Sequence, residues 1–395
     1  MLSIKTQNLV KDGSSIRALF VEGTKLKERF GEENVYDFSL GNPSIPTPEE
    51  VNIKAIECLK NKNIHSYMNN SGFENVREAI ATDINNKENT RFSAKNIIMT
   101  VGAAGGINIL FNTLLNPNDE VIVFAPYFAE YTNYINQFDC KTVIISPNVE
   151  DFQINFDELE EKITSKTKAV LINSPNNPTG VVYSKKTIIK LCSILKNKER
   201  EFNNSIYLIS DEPYRELLYI KSDLLYIPRH YDNSFVVYSY SKSLSLPGER
   251  IGYLVVPNEL NEFQNILDGL NVSNRVLGFV NAPSLFQQVI GSCLDVKVNI
   301  TPYKENLDLL YKSLINIGYE CVKPSGAFYL FPKTPFVNDI EFSNLAKKHN
   351  LLVVPGSGFA CPNHFRISYC TTKDVIERSI KVFEEVYEEA KQYCK

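Results

Sequence analysis

The stretch from Ile206 to Lys242 reads IYLISDEPYRELLYIKSDLLYIPRHYDNSFVVYSYSK. It holds two short apolar runs, 206–210 and 235–239. Each empties into polar residues, Asp211-Glu212-Pro213-Tyr214 after the first and Tyr240-Ser241-Lys242 after the second. Similar runs stand at 97–101, 121–125, 142–146, 169–173 and 251–256. Most are continuous Val, Ile, Leu and Phe without polar alternation, the pattern of strands buried on both faces. Helical patterns, such as 105–115 and 185–195, lie between them. Strands alternating with helices predict an α/β fold, with a mostly parallel sheet of seven strands flanked by helices. In such a sheet ligands sit beyond the carboxyl ends of the strands, so the residues just past each run are the candidates for chemistry.

The pattern changes after about residue 290. Helices surround short expected strands at 320–323, 327–331, 351–354 and 364–369. A final helix carries Ile376, Ile380, Phe383, Tyr387 and Ala390 as one apolar stripe, with Thr372 as its expected N-cap. The reading is a large domain over 48–288 and a smaller α+β domain built from 1–47 and 289–395. There is no internal repeat and no low-complexity segment.

Composition narrows the function classes. The chain has 395 residues, 43% hydrophobic and 22% charged, enough to bury a sizeable core without disulfides. Its net charge of −4 argues against a general nucleic-acid binder. No apolar run approaches the length of a membrane helix, about 18 residues or more, and the first fifteen residues hold no apolar signal core. Eight cysteines, at 58, 140, 192, 293, 321, 361, 370 and 394, are scattered without a CxxC pair, as expected of reduced thiols in a cytoplasmic protein. The four histidines form neither an HExxH motif nor a Cys/His cluster, so no metal site is expected.

Each strand end has an ordinary and a chemical reading. Lys242 could be a solvated surface charge; just past a buried strand, with Arg250 eight residues on, it could instead be a lysine of lowered pKa suited to Schiff-base chemistry. Asp211 could cap a helix or pair with a protonated ring nitrogen, with Tyr214 donating to a phenolate oxygen. The string Asn176-Asn177-Pro178-Thr179-Gly180 could be a plain turn, but as N-P-T-G after a buried strand it is unusual. Gly102-Ala103-Ala104-Gly105-Gly106 opens a helix with small residues and could admit a phosphate; it is not GxGxxG, so a dinucleotide site fits poorly. Phe128 could be core or could cover a planar cofactor. Arg366, inside an apolar run, wants a partner such as a carboxylate.

Taken together the set resembles the fold-type I pyridoxal-phosphate enzymes, and among them the class I/II aminotransferases of the aspartate aminotransferase superfamily. The likeness runs from Ser39-Leu40-Gly41-Asn42-Pro43 to Phe365-Arg366-Ile367-Ser368, with N-P-T-G, D-E-P-Y and S-x-S-K-S…G-E-R-x-G between. It implies an enzyme that uses pyridoxal 5'-phosphate to move the amino group of an L-amino acid to a 2-oxo acid by a ping-pong mechanism. Lys242 would be the lysine that links to the cofactor and shuttles the proton. Asp211 would pair with the ring nitrogen, Asn177 and Tyr214 would bond the phenolic oxygen, and Phe128 would stack on the ring. Ala103, Ala104, Ser239 and Arg250 would hold the phosphate. Arg366, with Asn177 and Gly41, would bind the substrate α-carboxylate. Tyr67 would reach the phosphate of a neighbouring subunit, implying a homodimer with shared active sites.

The resemblance is not complete. Ala103-Ala104 stand where many relatives carry a hydroxyl or Gly. Nothing plainly matches the second arginine that reads a distal carboxylate in animal-type aspartate aminotransferases; Arg275 lies near that place in sequence, and its ordinary reading is a surface charge. The segment 44–46 is expected to line the substrate pocket as a closing lid. The Asn177–Pro178 bond is expected to be cis, as in relatives. The rival readings are a lyase on the same fold, eliminating at Cβ, and a non-catalytic regulator. For the regulator, 1–40 is too short to hold a DNA-binding domain, and the intact Lys242, Asp211, Tyr214 and Arg366 argue against a dead site.

Overall fold

The computed structural model describes residues 2, 3, 6, 7, 10, 15–220 and 224–393. Its twelve strands among these residues are β1 (Tyr36–Asp37), β2 (Ile97–Thr100), β3 (Glu120–Phe124), β4 (Lys141–Ile145), β5 (Thr167–Asn173), β6 (Tyr207–Asp211), β7 (Ser234–Ser239), β8 (Gly252–Val255), β9 (Tyr329–Leu330), β10 (Leu351–Leu352), β11 (Val354–Pro355) and β12 (Phe365–Ser368). Seven of them form one sheet in the order β2-β8-β7-β6-β5-β3-β4. Only β8 runs against its neighbours; the β3, β4, β5, β6 and β7 pairs are all parallel.

The sheet is apolar on both faces because alternate residues enter different cores. Val121 and Val123 pack with Ile107, Leu110 and Phe111 of helix α1 (Gly102–Leu114). Ile122 and Phe124, between them, pack with Leu191 and Leu195 of the helix Lys185–Phe202 on the other side. The edge strand β4 departs from this pattern, with only Ile145 buried.

Register aligns the strand ends. Asn173 pairs with Asp211, and Asp211 with Val237, so the last residues of β5 and β6 lie side by side. The reversed strand β8 places Gly252 beside both Thr100 and Ser239. The phosphate-turn candidate after β2, the serine ending β7 and the Arg250 that precedes β8 therefore meet at one edge, although they span some 150 residues of sequence.

The remaining strands form a three-stranded sheet, β11-β12-β9, and a parallel pair, β1-β10. They pack with helices Thr301–Ile317 and Lys373–Gln392 around Phe328, Phe342, Phe365 and Phe383. Three expectations need correction here. Residues 320–323 form no strand: Glu320 accepts one bond from the Lys333 amide, at 2.9 Å, and no ladder continues from it. Thr372 stands at the N-cap with extended backbone, but its side chain makes no capping bond. The buried stripe of the last helix is Ile376, Ser379, Phe383, Val386 and Ala390; Ile380 and Tyr387 flank it half-buried, so a small buried serine displaced a larger apolar neighbour from the centre line.

No helix among the described residues is long and apolar enough to cross a membrane. No group of three or more His, Cys, Asp or Glu there could hold a metal. The seven described cysteines are all unpaired, five of them buried; Cys394 lies outside the described residues.

Candidate active site

The strand ends enclose a cavity of about 290 Å³ lined by Gly41, Ala103, Ala104, Phe128, Asn177, Asp211, Tyr214, Ser239, Lys242, Arg250 and Arg366. Every predicted site residue except Tyr67 is therefore brought together. Tyr67 is 92% exposed and absent from this lining. Arg275 is exposed near the end of its helix and does not line the cavity either. Nor do residues 44–46: the amides of Ser44 and Ile45 instead donate to the Tyr303 hydroxyl, at 3.0 and 3.2 Å. The N-terminal segment reaches the cavity through Leu40 and Gly41.

Lys242 sits in the one-turn helix Tyr240–Ser243, which Ser239 caps by accepting from the Ser241 amide. Its Nζ donates to the Gly41 carbonyl at 2.6 Å. Burial lowers its pKa to about 8, assisted by Arg366 and Arg250 and opposed by Cys370. An amine so placed is partly unprotonated near neutrality, as a nucleophile or base requires.

Asp211 and Glu212 are adjacent, buried and differently employed. Glu212 is neutralised by Arg215 at 2.8 Å, which also pairs with Glu88 at 2.6 Å. Among the described residues no cation pairs with Asp211. Its Oδ2 accepts from the Tyr131 hydroxyl, and its Oδ1 is buried without a partner. Burial raises its pKa to about 7; the Tyr131 bond opposes the rise and Glu212 adds to it. Asn173 links the neighbouring ends by donating from Nδ2 to the Asp211 carbonyl at 2.9 Å and accepting at Oδ1 from the Asn177 amide at 2.8 Å.

The Asn177 side chain faces Arg366, whose Nη1 donates to Oδ1 at 3.0 Å; Nη2 donates to the Ser39 carbonyl at 2.5 Å. The guanidinium carbon lies over the Tyr329 and Phe359 rings, 4.8 and 4.9 Å from their centroids. Its Nε is buried without a partner, and burial lowers its pKa. Tyr214 shares a hydrogen bond of 2.9 Å with the Tyr329 hydroxyl. The Asn177–Pro178 bond is cis, as are Ala125–Pro126 and Ser174–Pro175.

At the other end of the cavity α1 begins at Gly102 with no side-chain cap, leaving its first amides free. Gly102 has φ of +74°, and a Cβ there would stand 3.0 Å from Nη2 of Arg250. Arg250 is held by the Pro247 carbonyl at 3.1 Å. Free amides, a guanidinium and the Ser239 hydroxyl together suit a phosphate.

Sequence reasoning missed Tyr131, Tyr134, Ser241, Asn173 and Tyr329 in the lining. Ser241 and Asn173 adjoin predicted strand ends and could have been found there. Tyr131 follows Phe128 by three residues, its amide donating to the Phe128 carbonyl at 3.0 Å, but it is one aromatic among several and nothing in the sequence marks it. Tyr329 lies in an apolar run of the smaller sheet, where nothing marks one aromatic from the next.

The family model for aminotransferase class I and II matches residues 33–383. The chain is 30% identical to a probable N-acetyl-LL-diaminopimelate aminotransferase of Bacillus subtilis, covering 88% of each protein. It is also 30% identical to a probable aspartate aminotransferase of Methanocaldococcus jannaschii, covering 98% of this chain and all of that one. Among solved structures, an aminotransferase from Eubacterium rectale superposes with a TM-score of 0.95 at 44% identity, over 98% of this chain and 99% of the other. The aspartate aminotransferase of Thermus thermophilus with maleate gives 0.87 at 27%, with the same coverage.

Proposed function

The chain belongs to the class I and II aminotransferases, and we propose that the cavity at the strand ends is where it works as one. It is a pyridoxal 5'-phosphate-dependent enzyme that transfers the amino group of an amino acid to a 2-oxo acid in two half-reactions. The relatives' names favour this transfer over elimination at Cβ. The cofactor fits the residues present, and the observation that carries the assignment is the orphaned Oδ1 of buried Asp211, an unused acceptor on a residue that lines the same cavity as Lys242. When bound, pyridoxal phosphate supplies an aldehyde that captures the donor's amino group and a ring that accepts electrons from Cα.

The chain's own residues have these roles. The amides at Ala103 and Ala104, with Ser239 and Arg250, hold the phosphate. Phe128 covers the ring face. Asp211 Oδ1 keeps the ring nitrogen protonated, and Asn177 and Tyr214 bond the phenolic oxygen. Arg366 binds the α-carboxylate with help from Asn177 and the Gly41 backbone, fixing which Cα bond faces the base. Lys242 would be that base, its Nζ placed in the cavity to take up and hold the Cα proton.

We further propose that 48–288 form the cofactor-binding domain and that 1–47 with 289–395 form the smaller one. The seven-stranded sheet within the first range and the two small sheets in the others support this division. The exposure of Tyr67 away from its own cavity supports a homodimer in which it serves the neighbouring site; exposed Ile53, Ile56 and Leu59 on one helix add an apolar surface for such pairing. The unpaired thiols support a cytoplasmic location.

The test uses the cofactor-loaded protein and single amino acids without an oxo acid. One equivalent of the matching oxo acid per site, with loss of the visible cofactor band, is expected. Continuous release of pyruvate and ammonia would instead establish a lyase. Lys242→Ala should abolish turnover while the cofactor still binds.

A further inference from the structure

We propose that Tyr134 is a phosphate ligand of the cofactor site, its hydroxyl supplying the side-chain donor that Ala103 and Ala104 lack. The proposal rests on the reading of the phosphate end given above and goes beyond it, because Tyr134 comes from a separate element that no sequence motif marks. It lies in the helix Glu130–Asn136 after β3 and lines the cavity with Ala103, Ala104, Ser239 and Arg250. That helix is tied to α1 just past its own end: Gln137 donates to Asn108, and Asn108 donates to the Ala104 carbonyl at 2.8 Å. Tyr134 and Ala103 pack against the same apolar cluster, which includes Ile107. The two helices thus bring Tyr134 alongside the turn that opens α1.

The hydroxyl is unused. Among the described residues nothing bonds it, whereas Tyr131, one turn earlier, commits its own to Asp211, and Tyr127 shares its own with Thr132 at 2.8 Å. Burial raises the Tyr134 pKa to about 12; Glu130 and Asp211 add to the rise and Arg250 opposes it. The group is therefore protonated at neutral pH and free to donate. The charges acting on it also locate it: among the described residues Arg250, at the phosphate end, is the one cation that does so, and neither Lys242 nor Arg366 does. A phosphate presents three strong acceptor oxygens. With only methyl groups at 103 and 104, α1 offers it backbone donors alone, and the Ser239 hydroxyl is already shared with Ser241 at 2.7 Å. A tyrosine reaching in from the neighbouring helix completes the donor set without adding charge.

The test measures affinity of the cofactor-free protein, by equilibrium dialysis at neutral pH, for two probes: pyridoxal phosphate, and pyridoxal, which lacks the phosphate. In Tyr134→Phe, affinity for pyridoxal phosphate should fall about tenfold or more, the loss expected of a hydrogen bond to a charged group, and affinity for pyridoxal should be unchanged. Equal losses for both probes, or no loss for either, would overturn the proposal by making Tyr134 a packing residue only. Arg250→Gln is the control for the underlying reading. If it does not discriminate between the probes, that reading falls and the proposal with it. If it does and Tyr134→Phe does not, only the role of Tyr134 falls. Should Tyr134→Phe not fold, 3-fluorotyrosine at 134 keeps the hydroxyl and nearly the same shape. Inorganic phosphate added to the cofactor-free protein must then shift its fluorine resonance; an unmoved resonance would refute the proposal.

Discussion

Replacing Arg366 by Lys keeps a buried positive charge and removes the planar fork, so it isolates what the guanidinium geometry contributes. In the wild type, Nη1 and Nη2 are each anchored to the protein, on Asn177 and on Ser39, while Nε is unpartnered. The Tyr329 and Phe359 rings, 4.8 and 4.9 Å from the guanidinium carbon, pack against it. A substrate carboxylate can then take two parallel bonds from a group that needs no reorganisation. A lysine offers one nitrogen, which must choose between the protein's acceptors and the substrate. At least one charge-assisted bond is lost, worth about 1.5–3 kcal/mol, which corresponds to a fall of roughly 10- to 150-fold in kcat/KM. The assay is the first half-reaction, measured by single turnover with an amino acid and with the amine of the same side chain lacking the α-carboxylate. The amino acid should lose this factor and the amine should lose little. An equal loss for both donors would refute the reasoning, since Arg366 would then act through the fold rather than through the carboxylate.

The site makes three other outcomes testable. Asp211 is protonated more readily folded than unfolded, with a pKa of about 7 against 3.8. The cofactor-free protein should therefore be unpenalised below about pH 4 and lose stability progressively up to about pH 7. Asp211→Asn should accordingly gain up to about 4 kcal/mol at pH 8 in urea unfolding while losing cofactor affinity; a variant no more stable than wild type at pH 8 would contradict this. Gly102→Ala places a Cβ against Arg250 at φ of +74°. The strain of about 1–2 kcal/mol should lower the stability of the cofactor-free protein by about that amount, read by urea unfolding; unchanged stability would contradict this. Finally, separately inactive Lys242→Ala and Tyr67→Ala proteins, unfolded together and refolded, should recover roughly a quarter of wild-type activity. Half of the dimers are then mixed, and each mixed dimer has one intact site; no recovery would exclude a shared site.

Much of this site was legible because a buried parallel strand announces itself by unbroken hydrophobicity, and its ligand side by the polar residues at its carboxyl end. Asp211, Asn177, Ser239 and Lys242 were all found that way. The pattern served less well where a residue reaches the cavity from the side. Tyr131 and Tyr329 are aromatics among aromatics, and only the meeting of separate elements shows that their hydroxyls face Asp211 and Tyr214. The small sheets were blurred for another reason. Their strands are two to four residues long, too short for periodicity to fix an end, and residues 320–323 have strand-like composition without a neighbour to pair with. In the last helix, alternative stripes one residue apart were nearly equal in hydrophobicity, and packing against helix Thr301–Ile317 chose the one containing Ser379.

The cavity's charges do not balance. Lys242, Arg250 and Arg366 face it, and Asp211 is the only carboxylate among its lining residues. The hollow is thus a local positive well in a chain whose net charge is negative. Phosphate ester and oxo acid are anions, so they are drawn down the same gradient and must climb it to leave, whereas a zwitterionic amino acid is held only at close range through its carboxylate. Added salt weakens the long-range pull on each arrival, while sulfate or inorganic phosphate competes for the positions themselves. The speed at which this enzyme empties its site is thereby tied to the anions dissolved around it.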